Sequence, residues 1–432
     1  MLDMQRRLSN PFYALTSLPA TAMGFALCIQ ISALSWLLST KYHLDIHEIG
    51  IVWAAGPLAG ILGQVIIGFI SDKTWFWGGR RRPFILIGGT LAALSVFLLP
   101  RIEIVADLLG VTNLLVIAVI VALTLDLSIN ISFNPTRSII ADVTPEGDAR
   151  TRGYTWMQTI SGFWGVTAYL IGAYIDNYAL ISVGVVIVLL FSIVPVFLIK
   201  EPRELAPEAA ASVSDTAAGP TFIDWPQLWK LWTAHAFSWF GVQAMFVYII
   251  AFIQQHVVTN GATAAESAAQ SGHLIAISFA IMNVVGFVLP ALVLAPLGAR
   301  IGRVRTQAAC IGVMAVAYFG IALFARSPAS LYVLMAVVGI GWAAVVSLPF
   351  AIMSEKVDKR RMGFFMGLFN LSVVLPQLAT TVVGYVLKDA ADKSVLFLIC
   401  GGCLAVSSVL WLLVKDGAPV MNTKPEPLAA AH

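Results

Sequence analysis

Charge is scarce in this chain. Lys, Arg, Asp and Glu make up 11% of its 432 residues while hydrophobic residues make up 59%, and mean hydropathy is +0.86. A water-soluble domain carries roughly a quarter charged residues, so that class is excluded. The net charge of +3 is small and dispersed, which leaves no basic patch for a nucleic-acid partner. Cysteine is scarce as well. Cys28, Cys310, Cys400 and Cys403 all lie in apolar runs, and the Cys400-x-x-Cys403 pair has neither a second pair nor a histidine beside it. Packing is expected of it, not zinc or redox chemistry. Residues 1–19 contain no short apolar core followed by a small-residue cleavage site, so no cleavable signal peptide is expected. Long polar stretches are missing too. What remains is a polytopic membrane protein.

Apolar runs of about 20 residues predict spanning helices near 18–39, 49–70, 83–99, 111–137, 157–175 and 179–199. Six more follow near 228–253, 272–295, 306–325, 331–353, 362–387 and 394–414. Between the two sets, residues 201–226 are rich in Ala, Pro, Ser and charge and read as a linker. The expected architecture is all-α: twelve transmembrane helices, with a six-helix bundle over 1–200, a cytoplasmic linker over 201–226 and a second six-helix bundle over 227–432. Twenty of the 26 Lys and Arg residues fall in the loops on the side of the termini, and five fall in the opposite loops. By the positive-inside rule both termini are cytoplasmic, in the cell (inner) membrane. The remaining one, Arg137, sits inside the fourth run.

That fourth run is the odd one. It reads VALTLDLSINISFNPTRSIIAD over 121–142, apolar enough to span yet carrying Asp126, Asn130, Asn134 and Arg137. A carboxylate at the centre of a spanning helix costs about 2.5 to 3.5 kcal/mol to insert, so an aspartate there faces protein interior with a task. At 100° per residue, positions 126, 130, 133, 134 and 137 share one stripe. Arg137 lies about 16 Å along the helix from Asp126, where it can pair with Asp142 or touch a ligand, but cannot reach Asp126 directly.

The halves echo one another. Gly68-x-x-x-Asp72 and Gly79-Arg80-Arg81-Arg82-Pro83 follow the second helix, and a degenerate Gly302-Arg303, with Ala299 in place of an aspartate, follows the eighth. Helix 4 has Pro135, Asp142, Arg150 and Arg152; helix 10 has Pro349, Glu355, Lys359, Arg360 and Arg361. Two similar halves place a substrate site at their interface, near the bilayer midplane. Gly68 allows helix ends to approach, and Asp72 with Arg80, Arg81 and Arg82 is expected to pair with Asp142, Arg150, Glu355 and Arg361 as a cytoplasmic gate.

Here the sequence resembles a known family. Gly68-Phe-Ile-Ser-Asp72-Lys with Gly79-Arg-Arg-Arg-Pro-Phe84 is similar to the signature loop of the sucrose transporters and their bacterial and animal relatives, within the glycoside-pentoside-hexuronide branch of the major facilitator superfamily. Gly24-Phe-Ala-Leu with Gln30 resembles the family's first helix. Leu125-Asp126, Asn130, Pro135 and Arg137 resemble its fourth, and Gly367-Leu-Phe-Asn370-Leu-Ser-Val-Val-Leu-Pro376-Gln377 its eleventh. The resemblance implies that Asp126 carries a proton and that Arg137 is required for transport. One departure stands out: the family's acidic Asp-Thr-Asp near the outer end of helix 7 is replaced by Phe246-Val-Tyr248-Ile-Ile-Ala.

Sodium-coupled relatives resembling the melibiose carrier place two aspartates in helix 2, where this chain has Gly60 and Gln64. A proton is therefore the expected coupling ion. At 100 mV about 2.3 kcal/mol per charge sustains roughly a 50-fold sugar gradient. A sugar site needs amides and carboxylates for hydroxyls and aromatic faces for the rings. The candidates are Gln30, Asp126, Asn130, Phe133, Asn134, Arg137, Trp239, Gln243, Asn370 and Gln377, with Trp36, Trp53, Asn283 and Trp342 as further groups; His235 and His273 are read as bland. The sequence thus predicts a proton symporter that imports a disaccharide or glucoside, sucrose or maltose, by alternating access. It is expected to be monomeric, to partner a small-molecule sugar, a proton and the bilayer, to bind no metal or organic cofactor, and to be no enzyme. An uncoupled or monosaccharide transporter of the same fold, or a sugar sensor that does not translocate, stays open.

Overall fold

The computed structural model describes residues 3–57, 59, 60, 67, 70, 74–145, 148–202, 224–258, 263–354, 356 and 362–415. Among the described residues the long helices run in this order: α1 (Asn10–Thr40), α2 (opening with Ile46–Trp53), α3 (Arg82–Leu109), α4 (Leu114–Val143), α5 (Asp148–Tyr174) and α6 (Asn177–Leu198) form one half. The other half comprises α7 (Trp225–His256), α8 (Ala264–Leu289), α9 (Arg303–Phe324), α10 (Pro328–Ser354), α11 (Met362–Ala379, resuming as Thr381–Asp389) and α12 (Val395–Trp411). Among the described residues, nine helices are long and apolar enough to cross a membrane. Helices are the expected solution, since lipid offers backbone groups no partners.

Several helices begin before their apolar runs do. α1 starts at Asn10 because Pro11 occupies its first turn, where a missing N–H leaves no bond unmade. Thr16 and Ser17 then return their hydroxyls to the Tyr13 carbonyl at 3.0 and 2.7 Å, so polar residues ride inside the helix with their groups satisfied. Midway, Gln30–Leu34 form a π-turn, a widening often found where a helix face serves a site. α4 runs through Pro135 to Val143 without a break.

The two halves repeat one packing plan. α1 packs on α5 and α6, and α3 on α4 and α6; likewise α7 packs on α11 and α12, and α9 on α10 and α12. The halves meet where α2 lies against α11 and α5 against α8. The end of the bundle carrying the α2–α3 and α6–α7 connections is the linker end; the opposite one is the far end.

At the far end the halves are tied together. Ser35 donates to the Val247 carbonyl at 2.9 Å while accepting the Trp53 indole N–H at 2.8 Å. Trp36 donates to the Ala268 carbonyl at 2.6 Å, and Lys388 pairs with Asp45 at 3.2 Å. The Tyr248 hydroxyl donates to the Thr380 carbonyl at 3.2 Å. Its oxygen occupies space that only glycine leaves open: a Cβ on Gly50 of α2 would lie 2.1 Å from it, and one on Gly384 of α11 2.8 Å. The stretch that departs from the family's acidic pattern therefore serves packing between the halves. Near it, His256 lies 2.8 Å from Asp392, whose carboxyl is held below the ordinary range first by the Ser394 backbone N–H.

At the linker end, Arg81 pairs with Asp142 at 3.1 Å, both in the first half. The Arg80, Arg81 and Arg82 backbone N–H groups all donate to the Glu201 carboxylate, at 2.8, 2.9 and 2.7 Å. Glu201 thus caps the start of α3, where a negative charge offsets the unpaired N–H groups of the first turn. This modifies the expected gate. The arginine loop is fastened within its own half, partly by a residue that composition assigned to the linker. Arg150 lies in the first turns of α5, while Gly68, Asp72, Glu355 and Arg361 lie outside the described residues.

Candidate functional site in the central cavity

A cavity of about 370 Å³ opens between the halves, lined by α1, α2 and α4 from one and α7, α10 and α11 from the other. α1 contributes Leu27, Gln30 and Ile31, α2 contributes Trp53, Gly56, Pro57 and Gly60, and α4 contributes Asp126 and Asn130. The second half brings Trp239, Gln243, Phe246, Trp342, Asn370, Val373, Val374 and Gln377.

Asp126 is the one carboxylate among the described lining residues, and it is only 7% exposed. Gln30, in the π-turn of α1, donates its amide N–H to Asp126 Oδ2 at 2.9 Å. Asn130 turns its amide back to the Asp126 carbonyl at 2.8 Å. α2 comes close because position 56 is glycine, where a Cβ would sit 3.0 Å from Asp126 Oδ2. Such a carboxylate has a neutral amide beside it and a cavity in front of it, which suits a group that exchanges a proton or bonds a ligand hydroxyl. Among the described residues, no cluster of His, Cys, Asp or Glu could hold a metal ion.

Across the cavity the described lining groups are neutral. Gln377 donates to Gln243 Oε1 at 3.2 Å. Trp239 and Trp342 meet edge to face at 6.1 Å, and Phe246 meets Trp342 likewise at 5.4 Å. Asn283 stays behind this wall, accepting the Trp342 indole N–H at 3.3 Å. Amides beside aromatic faces form the surface a pyranose ring requires.

The α4 stripe divides. Asp126 and Asn130 line the cavity, whereas Phe133, Asn134 and Arg137 lie farther toward the linker end and are not part of its described lining. Arg137 is exposed, with its guanidinium 4.1 Å from the Phe133 ring centroid. A straight helix advances 1.5 Å per residue, so a shared face does not mean a shared pocket. Trp36, for its part, belongs to the far-end seam.

Sequence reasoning passed over His235. It is fully buried, stacked on Phe369 at 4.7 Å and 14°, and its Nε2 accepts the Trp239 indole N–H at 2.9 Å. It therefore sets the angle of a cavity wall. The available signal was its spacing of four from Trp239, which puts both on one helix face.

Residues 17–381 and 291–431 match the Major Facilitator Superfamily. The chain belongs to that superfamily. Its sequence is 22% identical to the Sucrose transport protein SUC4 of Arabidopsis thaliana over 425 residues, covering 84% of this chain and 81% of that protein. It is 30% identical to the General alpha-glucoside permease of Schizosaccharomyces pombe (strain 972 / ATCC 24843) over 200 residues, which span 42% of this chain and 35% of the permease. The crystal structure of a D-xylose-proton symporter shares the fold, with a TM-score of 0.68 at 15% identity over 94% of this chain and 97% of that one.

Proposed function

We propose that this superfamily member is a proton-coupled symporter that moves a disaccharide or glucoside, sucrose or maltose, by alternating access. The observation that carries the reading is the central cavity: one buried carboxylate, bonded to Gln30, faces amides and indoles supplied by the other half. The similarity to a sucrose transport protein and an alpha-glucoside permease supports the substrate class. The lysine and arginine distribution supports a linker end in the cytoplasm and the cell (inner) membrane as the site of action, with both termini cytoplasmic. On this reading the tied far end faces outward, and the chain works as a monomer with no organic cofactor, metal or nucleic acid.

Asp126 takes the proton and Gln30 holds the carboxyl in place, while Gln243, Gln377 and Asn370 bond sugar hydroxyls and Trp239 with Trp342 cover the apolar ring faces. Coupling follows if the halves rock only when proton and sugar are both bound or both gone. The test is downhill uptake of sucrose and of maltose into proteoliposomes with lumenal pH recorded, beside counterflow of the labelled sugars. Sugar-dependent proton entry is expected. Downhill uptake without proton entry would convert the reading to a facilitator, and binding without counterflow to a sensor.

A further inference from the structure

A second cavity stands apart from the central one. It measures about 460 Å³, lies at the far end, and shares no lining residue with the central cavity. Its volume falls within the range of small-molecule sites, about 300 to 1,000 Å³. Trp36, Thr40 and Lys41 of the first helix and its exit, Asn177 and Tyr178 of α6, and Gly272 with His273 of α8 surround it.

Its floor is Asn177. That side chain is 2% exposed, and its Oδ1 has no hydrogen-bond partner among the described residues. A buried acceptor left unpaired costs about 1 to 3 kcal/mol, so a turn of the side chain that lets it accept from an entering donor is favoured. The Trp36 indole N–H is already given to Ala268, which leaves its ring; Tyr178 meets that ring edge to face at 5.4 Å. The two charges at the rim are engaged locally. Asp176 accepts the Ala179 N–H at 2.6 Å, and Lys41 donates to the Pro100 carbonyl at 2.5 Å. A site with an amide acceptor, the Thr40 hydroxyl oxygen, whose hydrogen goes to the Trp36 carbonyl at 2.7 Å, aromatic faces and balanced charge fits a neutral polyhydroxylated ligand better than an ion.

The walls come from both halves, Trp36 and Asn177 from one and Ala268, Gly272 and His273 from the other. Opening the far end would pull them apart. A ligand that touches both therefore favours the closed far end by its differential affinity for that state. We propose that this vestibule is a second sugar site, which binds a hexosyl unit from the outer medium and holds the far end shut, so that sugar at high external concentration slows its own uptake. The inference rests on the sugar-transport reading and on its sidedness.

Ala265 lines the same cavity and is exposed at its rim, so Ala265→Cys gives a reporter for a membrane-impermeant maleimide. At about ten times the Kd, sucrose or maltose is expected to slow labelling about tenfold. Protection should persist when the central site is disabled by Gln243→Leu with Gln377→Leu, and disappear with Asn177→Leu or, at an exposed position that perturbs folding less, Tyr178→Ala. The same two vestibule variants should remove inhibition of uptake at high external sugar. Protection that vanishes with the central changes and survives the vestibule changes would overturn the inference, as would no protection in a protein that still performs counterflow. Failure of wild-type counterflow would instead sink the transport reading itself.

Discussion

The two halves share a packing plan but not a chemistry. Among the described lining residues, the first half brings the one carboxylate, Asp126, with Gln30 bonded to it, while the second brings amides, aromatic rings and no charge. In a duplicated architecture, the fold is repeated because both halves solve the same burial problem. The lining is free to differ. On the proposed function, coupling belongs to one wall and sugar recognition to the other, and each can be broken separately.

The largest effect is expected from Asp126→Asn, which keeps shape and removes the titratable group. Uphill accumulation should fall from tens-fold, the limit of roughly 50-fold at 100 mV, to about one, while counterflow persists. Accumulation that survives would remove Asp126 as the sole proton carrier. Next is the seam. Gly50→Ala puts a methyl against the Tyr248 oxygen, and overpacking of about 1 to 3 kcal/mol on the closed far end slows uptake about tenfold or more. Tyr248→Phe in the same chain should restore much of the rate; if it does not, the clash is elsewhere.

Gln243→Leu tests the opposite wall. Losing a buried amide raises KM for sugar about tenfold with the accumulation ratio unchanged, and a change in coupling would collapse the division between halves. His235→Phe keeps the stack on Phe369 but strands the Trp239 N–H. KM should rise about three- to tenfold, with His235→Gln, which still accepts, recovering most of it; equal loss in both variants would point to packing alone. The smallest effect concerns Asp392. Because its folded carboxyl titrates below its ordinary range, its contribution is present above about pH 4 and lost as pH falls through the folded value. The Tm difference between wild type and Asp392→Asn should therefore shrink to nothing in acid.

Much of this was legible in residue order. Lipid forces every backbone group to bond within its own helix, so twelve apolar runs and a polar linker translate almost directly into twelve helices in two sets. Asp126, Gln30 and Asn130 stood out because polar groups at membrane depth need a reason to be there. Gln243, Asn370 and Gln377 stood out for the same reason. The helix ends were less legible, since Thr16 and Ser17 bond back to their own helix and extend it beyond its apolar core.

What residue order determined by itself was the membrane, the helix count, the two-part plan and the face on which Asp126 sits, because each depends on hydropathy and a 3.6-residue period along one chain. Only the tertiary structure decided where along that face the cavity ends, and so that Asn130 belongs to its described lining while Asn134 and Arg137 do not. It alone placed Glu201 under the arginine loop, His235 behind Trp239 and Asn177 beneath a second cavity. Those relations join residues on different helices or fix depth along one, and neither helix-to-helix distance nor the extent of a void is encoded in a linear period.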